Sequence, residues 1–170
     1  MLVWPTAREV ILLRGGGTYT LRERGKLKRR GRWTNAAATV GRNLMLNVMF
    51  RGTTASTAWY CGLVDGSTAT FAAADTMSSH TGWTENTGYS DATRRQWSPG
   101  AASGSVLSAT AATFNLNATS TLYGVFVADS NTKGGTTGTL WATGAFDAAQ
   151  AVVNGNTLDV TYETELQAVA

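Results

Sequence analysis

The chain of 170 residues has one cysteine, Cys61, one histidine, His80, and two prolines. A lone cysteine excludes an intrachain disulfide and a cysteine-rich zinc site. A lone histidine excludes a two-histidine metal site within one chain. Charged residues make up only 15% of the sequence, against about 25% in an ordinary soluble domain. No apolar run approaches the roughly 18 residues of a membrane span. The opening Met1-Leu2-Val3-Trp4-Pro5 lacks the basic region and apolar run of a secretory signal, and Val10-Ile11-Leu12-Leu13 is too short to serve as one. The expectation is a soluble chain made in the cytoplasm. No Walker motif, dinucleotide fingerprint or Gly-x-Ser-x-Gly elbow occurs.

Small and β-favouring residues fill the space that charge leaves. There are 27 Thr, 25 Ala and 19 Gly, with six Trp, five Tyr and five Phe as large packing groups. The aromatics argue against disorder, and abundant Thr with scarce Lys argues against a helical bundle. The length suits one domain with a real core.

The net charge of +3 conceals a division. Residues 1–51 hold 11 Lys/Arg and two Glu, a balance of +9; residues 52–170 hold three Lys/Arg and nine Asp/Glu, a balance of −6. The cations concentrate between Arg22 and Arg32. Such a cluster marks a nucleic-acid arm, a surface that docks on an acidic partner, or simply a solvated hairpin.

The chain reads as an N-terminal arm over 1–16, ending in Gly15-Gly16-Gly17, and a single β-sandwich domain over 17–170. Residues 18–33 form two extended runs about Gly25-Lys26, which predicts a hairpin with a type II′ turn. Val40, Leu44 and Val48 then follow a helical period, predicting one short helix over about 37–50. Thr34 or Asn35 would cap it and Gly52 end it. Beyond Gly52 the period falls to two. Strands are predicted over 57–64, 89–97, 105–108, 111–116, 122–128, 139–146 and 157–165. A long connection over 66–88 has room for a helical turn capped by Asp75. Leu122–Val127 lacks polar residues, which predicts a strand buried on both faces. Many short strands with regular turn signals define an all-β class, a sandwich of jelly-roll type. The expected core is Leu44, Val48, Trp59, Leu63, Phe114, Val125, Phe126, Leu140, Phe146, Leu158 and Val160.

Few residues offer chemistry. His80 has Asp75, Ser78, Ser79 and Glu85 nearby in sequence, but a triad needs them at hydrogen-bond distance, and pinning the long loop is the simpler role. Asp159, Glu163 and Glu165 share one outward face of the last predicted strand. They are candidates for a cation site or an acid pair, and solvated surface is the simpler role. Cys61 lies in an apolar strand without a basic neighbour and reads as core. Arginine outnumbers lysine 11 to 3, and its planar guanidinium grips carboxylates in pairs of hydrogen bonds. No nucleic-acid motif frames the basic run. Partner binding is therefore assigned to apolar anchors Trp4, Ile11, Leu12 and Leu13 of the arm, with Arg22, Arg24, Arg29, Arg30 and Trp33 of the hairpin. No catalytic, metal or cofactor-binding residue is assigned.

Five segments together resemble a family of small structural proteins of tailed bacteriophages. They are Trp59–Asp65, Ala74–Glu85, Tyr89–Trp97, Lys133–Leu140 and Val153–Tyr162. The similarity runs from about Thr18 to the end and leaves 1–16 as an added arm. It implies a β-rich virion component, assembled in the host cytoplasm, without enzymatic activity or a cofactor. The leading expectation is a capsid decoration, or cement, protein. It would stabilise the head by binding the major capsid protein, as a homo-oligomer, with no membrane or nucleic-acid partner. A tail, adaptor or fibre component is the second expectation. A tail-associated glycan hydrolase is the third.

Overall fold

A computed structural model describes residues 10–169 of the chain. The fold is all-β: among the described residues, one strongly curled antiparallel sheet of eleven strands is accompanied by a single helix. Strands β1 (Val10–Glu23) and β2 (Lys26–Ala37) form a long hairpin, followed by helix α1 (Thr39–Arg51). Then come β3 (Trp59–Asp65), β4 (Glu85–Asn86), β5 (Arg95–Trp97), β6 (Val106–Ser108) and β7 (Ala112–Asn115). The last four are β8 (Ser120–Ala128), β9 (Leu140–Val152), β10 (Asn156–Val160) and β11 (Glu163–Val169). The main path runs β4-β3-β8-β9-β2-β1-β10-β7, with β11 paired to both β1 and β6, and β5 to β3.

The curl brings the inner faces of distant strands onto one core. Tyr19, Leu21 and Trp33 from the hairpin meet Leu63, Val125, Val127, Phe114, Leu158 and Val160 there. A second, smaller core lies on the other face of β3, β8 and β9, where Val64, Phe126, Ala128 and Leu140 pack under Met77 and Trp83 of the 66–84 loop. Strand β8 is thus buried on both faces, which is why its sequence has no polar alternation. Eight of the eleven expected core residues are buried: Leu63, Phe114, Val125, Phe126, Leu140, Phe146, Leu158 and Val160. Leu44, Val48 and Trp59 are half-buried instead, because they line a groove open to solvent.

Several boundaries differ from the sequence reading. Residues 10–16 of the expected arm are not separate from the domain. They are the first half of β1, paired with β11 from Val10–Val169 to Gly16–Glu163. The hairpin turn is Arg24-Gly25, with φ of 50° and 77°, because Glu23 pairs with Lys26. Two positive φ angles make it a type I′ turn rather than type II′. The expected strand over 89–97 keeps continuous strand form only at Arg95–Trp97; Tyr89 and Thr93 make single bridges to Leu116 and Thr132, and the Arg94 and Lys133 side chains anchor the segment. The expected final strand divides into β10 and β11, with Thr161 and Tyr162 between them. Tyr162 is buried there, accepting hydrogen bonds from Asn35 Nδ2 at 2.9 Å and Trp141 Nε1 at 2.6 Å.

The helix begins at Ala38 without a side-chain cap; Thr34 and Asn35, the expected caps, belong to β2. Gly52 ends it in left-handed conformation, as expected. Buried Gly41 sets the helix against β9: an added Cβ would stand 2.8 Å from the Cα of Trp141. No helical turn forms at Asp75. Its carboxylate accepts the Ala72 N–H and the Trp83 indole N–H, both at 3.0 Å, and so ties the loop to the second core.

Candidate docking surface

The β1–β2 hairpin separates its two faces by the period of two. Tyr19, Leu21 and Trp33 turn into the core. Thr18 and Thr20 lie opposite Arg32 and Arg30 on the outer face. Every residue from Glu23 to Arg30 is exposed, as is Arg32. Three basic side chains are engaged within the molecule. Arg22 stands 3.5 Å from Asp159, Lys28 3.6 Å from Glu23, and Arg29 3.7 Å from Asp147. Arg29 Nε also donates to the Tyr19 hydroxyl at 3.2 Å, and that hydroxyl donates to Asp147 at 2.5 Å. The Tyr19 bond, reinforced by Arg29, holds the Asp147 carboxyl below its usual range. Among the described residues, no carboxylate lies within 4.0 Å of the side-chain cations of Arg24, Lys26, Arg30 or Arg32. Thr18, Thr20, Arg30 and Arg32, with Tyr19 and Gly31, line a shallow open trough.

A second surface lies under the helix. An apolar groove of about 420 Å³ runs between α1 and the β1–β11–β6 end of the sheet. Leu44, Met45 and Val48 form one wall, Trp59, Trp97 and Trp141 the floor, and Leu13 and Leu166 the far side. Leu46, Met49 and Phe50 of the helix are exposed, the last 75%, and Met49 also borders the groove. Ile11 and Leu12 stand exposed on the neighbouring ribbon.

The assigned partner-binding residues therefore divide. Arg24 and Arg30 are exposed, with no carboxylate partner among the described residues, and Ile11 and Leu12 are exposed. Leu13 lines the groove. Arg22 and Arg29 are tied to their own sheet. Trp33 is not a surface anchor: it is 3% exposed, stacks on Tyr162 at 5.3 Å, and donates its indole N–H to the Thr161 carbonyl. The alternation that places Tyr19 and Leu21 inward also places Trp33 inward. Trp4 lies outside the described residues. Sequence reasoning left out Lys26 and Arg32, which continue the same cationic run, and Leu46, Met49 and Phe50. The signal for the last three was a helix apolar around more than one side, with hydrophobic residues beyond its Val40-Leu44-Val48 stripe.

The residues considered for chemistry are dispersed. His80 Nδ1 lies 3.0 Å from the Trp83 carbonyl oxygen and the ring stacks on Trp83 at 3.9 Å, a loop-pinning arrangement. Asp75 is occupied by Trp83, and Glu85 by Arg94. Asp159 accepts the Thr113 hydroxyl and faces Arg22, while Glu163 and Glu165 belong to the next strand. Among the described residues no three His, Cys, Asp or Glu side chains converge as a metal-binding group. Burial pushes the Cys61 thiol up to about 12, so it stays protonated and unreactive. No helix is long and apolar enough to cross a membrane among the described residues. No protein-family model and no curated protein sequence matches the chain.

Proposed function

We infer that the protein is a non-enzymatic structural component of a tailed-bacteriophage virion, a capsid decoration protein that seats on the major capsid protein. The observation carrying this reading is the unbalanced charge of the hairpin. Arg24, Lys26, Arg30 and Arg32 project from a rigid ribbon without a carboxylate to neutralise them among the described residues. Arginines held ready on a fixed scaffold suit charge-assisted contacts to carboxylates on a neighbour. The resemblance of five separate segments to phage structural proteins supplies the virion context.

The test is the composition and map of particles made by a genome encoding this chain. Mass spectrometry of purified virions should recover the protein. Cryo-electron microscopy should show symmetric copies on the head with the hairpin against the shell. Copies confined to the tail would replace this reading with the tail or adaptor alternative. Absence of the chain from washed particles would overturn both.

A further inference from the structure

Strand β2 is paired along only one side for much of its length. From Lys26 to Arg32 its strand neighbour among the described residues is β1 alone; β9 joins only at Trp33, opposite Phe146. An open edge offers a row of main-chain donors and acceptors to any extended chain. Arg32 shows which way they point. Its partner across the β1–β2 ladder, Thr18, turns its own N–H and carbonyl to Thr161 on the far side of β1. Thr18 and Arg32 are thus a non-hydrogen-bonded pair, and Arg32 turns its N–H and carbonyl away from β1, out of the open edge. Main-chain groups repeat every second residue along an antiparallel strand. The Arg30 N–H therefore points out of the same edge, with no strand to receive it among the described residues.

The side chains of this edge select what may pair with it. Lys26, Arg30 and Arg32 lack carboxylate partners among the described residues. A second copy of the same edge would bring cations against cations, which is repulsive. An extended segment carrying carboxylates would meet the opposite charge. No exposed aromatic ring lies along Lys26–Arg32 for bases to stack on, since Trp33 and Tyr19 are buried. The chemistry thus favours a protein segment over nucleic acid.

We propose that the β2 edge at Lys26–Arg32 binds an extended, carboxylate-bearing segment of a partner protein, added to the sheet as a further strand. This rests on the docking reading above and names the form in which the partner engages. Main-chain pairing supplies the register, and the cations select acidic sequences.

The test uses the full chain and a short synthetic peptide of alternating Glu and Val. Hydrogen exchange should show the Arg30 amide protected on peptide addition, with affinity falling as salt rises. An alternating Lys and Val peptide should not bind. Arg30→Ala removes the charge and keeps the N–H; Arg30→Pro removes both. One main-chain hydrogen bond is worth up to about 1.5 kcal/mol, so Arg30→Pro should bind about tenfold more weakly than Arg30→Ala. Proline is tolerated where the N–H faces outward from an edge, and thermal melts establish that both variants fold. If Arg30→Pro does not fold, the decision passes to amide protection in the parent and in Arg30→Ala. Equal binding by both variants, or peptide binding without protection at Arg30, would reduce the site to surface charge and overturn the strand-addition proposal. Tighter binding of a single-stranded oligonucleotide than of the acidic peptide would overturn the choice of partner. Failure of the peptide to bind, with the chain still found on virions, would sink the edge proposal alone.

Discussion

Arginine appears in this molecule in two opposite settings. Arg94 is fully buried and has all it needs. Nε and Nη2 donate to the two Glu85 oxygens at 3.0 and 2.8 Å, Nη1 to the Ser130 carbonyl at 2.9 Å, and Nη2 again to Gly135 at 2.7 Å. Its guanidinium lies 5.0 Å from the centre of the Phe126 ring. It joins the 85–94 and 130–135 segments into one clamp. Arg30 and Arg32 sit exposed on a sheet edge with no such partners among the described residues. The difference is one of completion. The first arginine is satisfied by its own fold, and its role is structural. The others present the same donors to whatever comes next, which is the property of a binding surface.

The largest expected effect comes from breaking the completed side of this comparison. Arg94→Met removes the cation and leaves the Glu85 carboxylate buried, so stability should fall by about 3–5 kcal/mol. Phe126→Ala empties a fully buried site on the same cluster and should cost about 3–5 kcal/mol. Because the ring and the guanidinium touch, the two losses should not add, and a double-mutant cycle in urea reads the coupling. Strict additivity would show that the clamp and the second core act independently. Tyr162→Phe comes next. It leaves the indole N–H of Trp141 and the amide of Asn35 without their shared acceptor, at a cost of about 1–3 kcal/mol by the same measurement.

The hairpin's inner face supplies a pH test. Burial, and then the hydrogen bond to Asp147, push the Tyr19 hydroxyl up to about 12, from about 10 in an unfolded chain. Its folded form retains the proton longer than its unfolded form does. The associated stability is therefore fully present below about pH 10 and is lost as pH rises from there through about pH 12. Tyr89 and Tyr162 are raised in the same direction, mainly by burial, and add to the alkaline loss. Unfolding curves of Tyr19→Phe should show a shallower decline across this window than the parent. An unchanged decline would assign the loss to the other two tyrosines.

Much of the frame was legible before the structure. The helical period about Val40, Leu44 and Val48 located α1, and the unbroken apolar run of β8 foretold burial on both faces. The glycine punctuation at Gly15-Gly16-Gly17 misled, because it lies inside a strand. Gly17 is there for close approach: a Cβ would meet the Thr161 carbonyl. The clamp was not legible, since Arg94 and Glu85 are separated from Ser130 and Gly135 by some forty residues of chain, and only long-range pairing joins them. On the candidate surface, the sequence located the cations and not their division. Which arginines meet Asp147 and Asp159, and which remain open, depends on strand register that local pattern does not contain.

The smallest effect on stability should come from the exposed side of the comparison. In Arg30→Glu/Arg32→Glu, neither replaced side chain has a carboxylate within 4.0 Å among the described residues, and both lie opposite threonines on the outer face. Surface changes of this kind stay within about 0.5 kcal/mol, so the melting curve should overlay that of the parent. Occupancy on particles should nevertheless collapse, because the reversed charges would now repel an acidic neighbour. A charge-neutral Arg30→Gln/Arg32→Gln variant should retain intermediate occupancy that rises as salt is lowered if Arg24 and Lys26 carry the remainder. A variant that melts like the parent and still fills every site on the particle would move the docking surface away from the hairpin. The apolar groove beneath α1 would then be the face to test, beginning with Met45 and Met49, which line it.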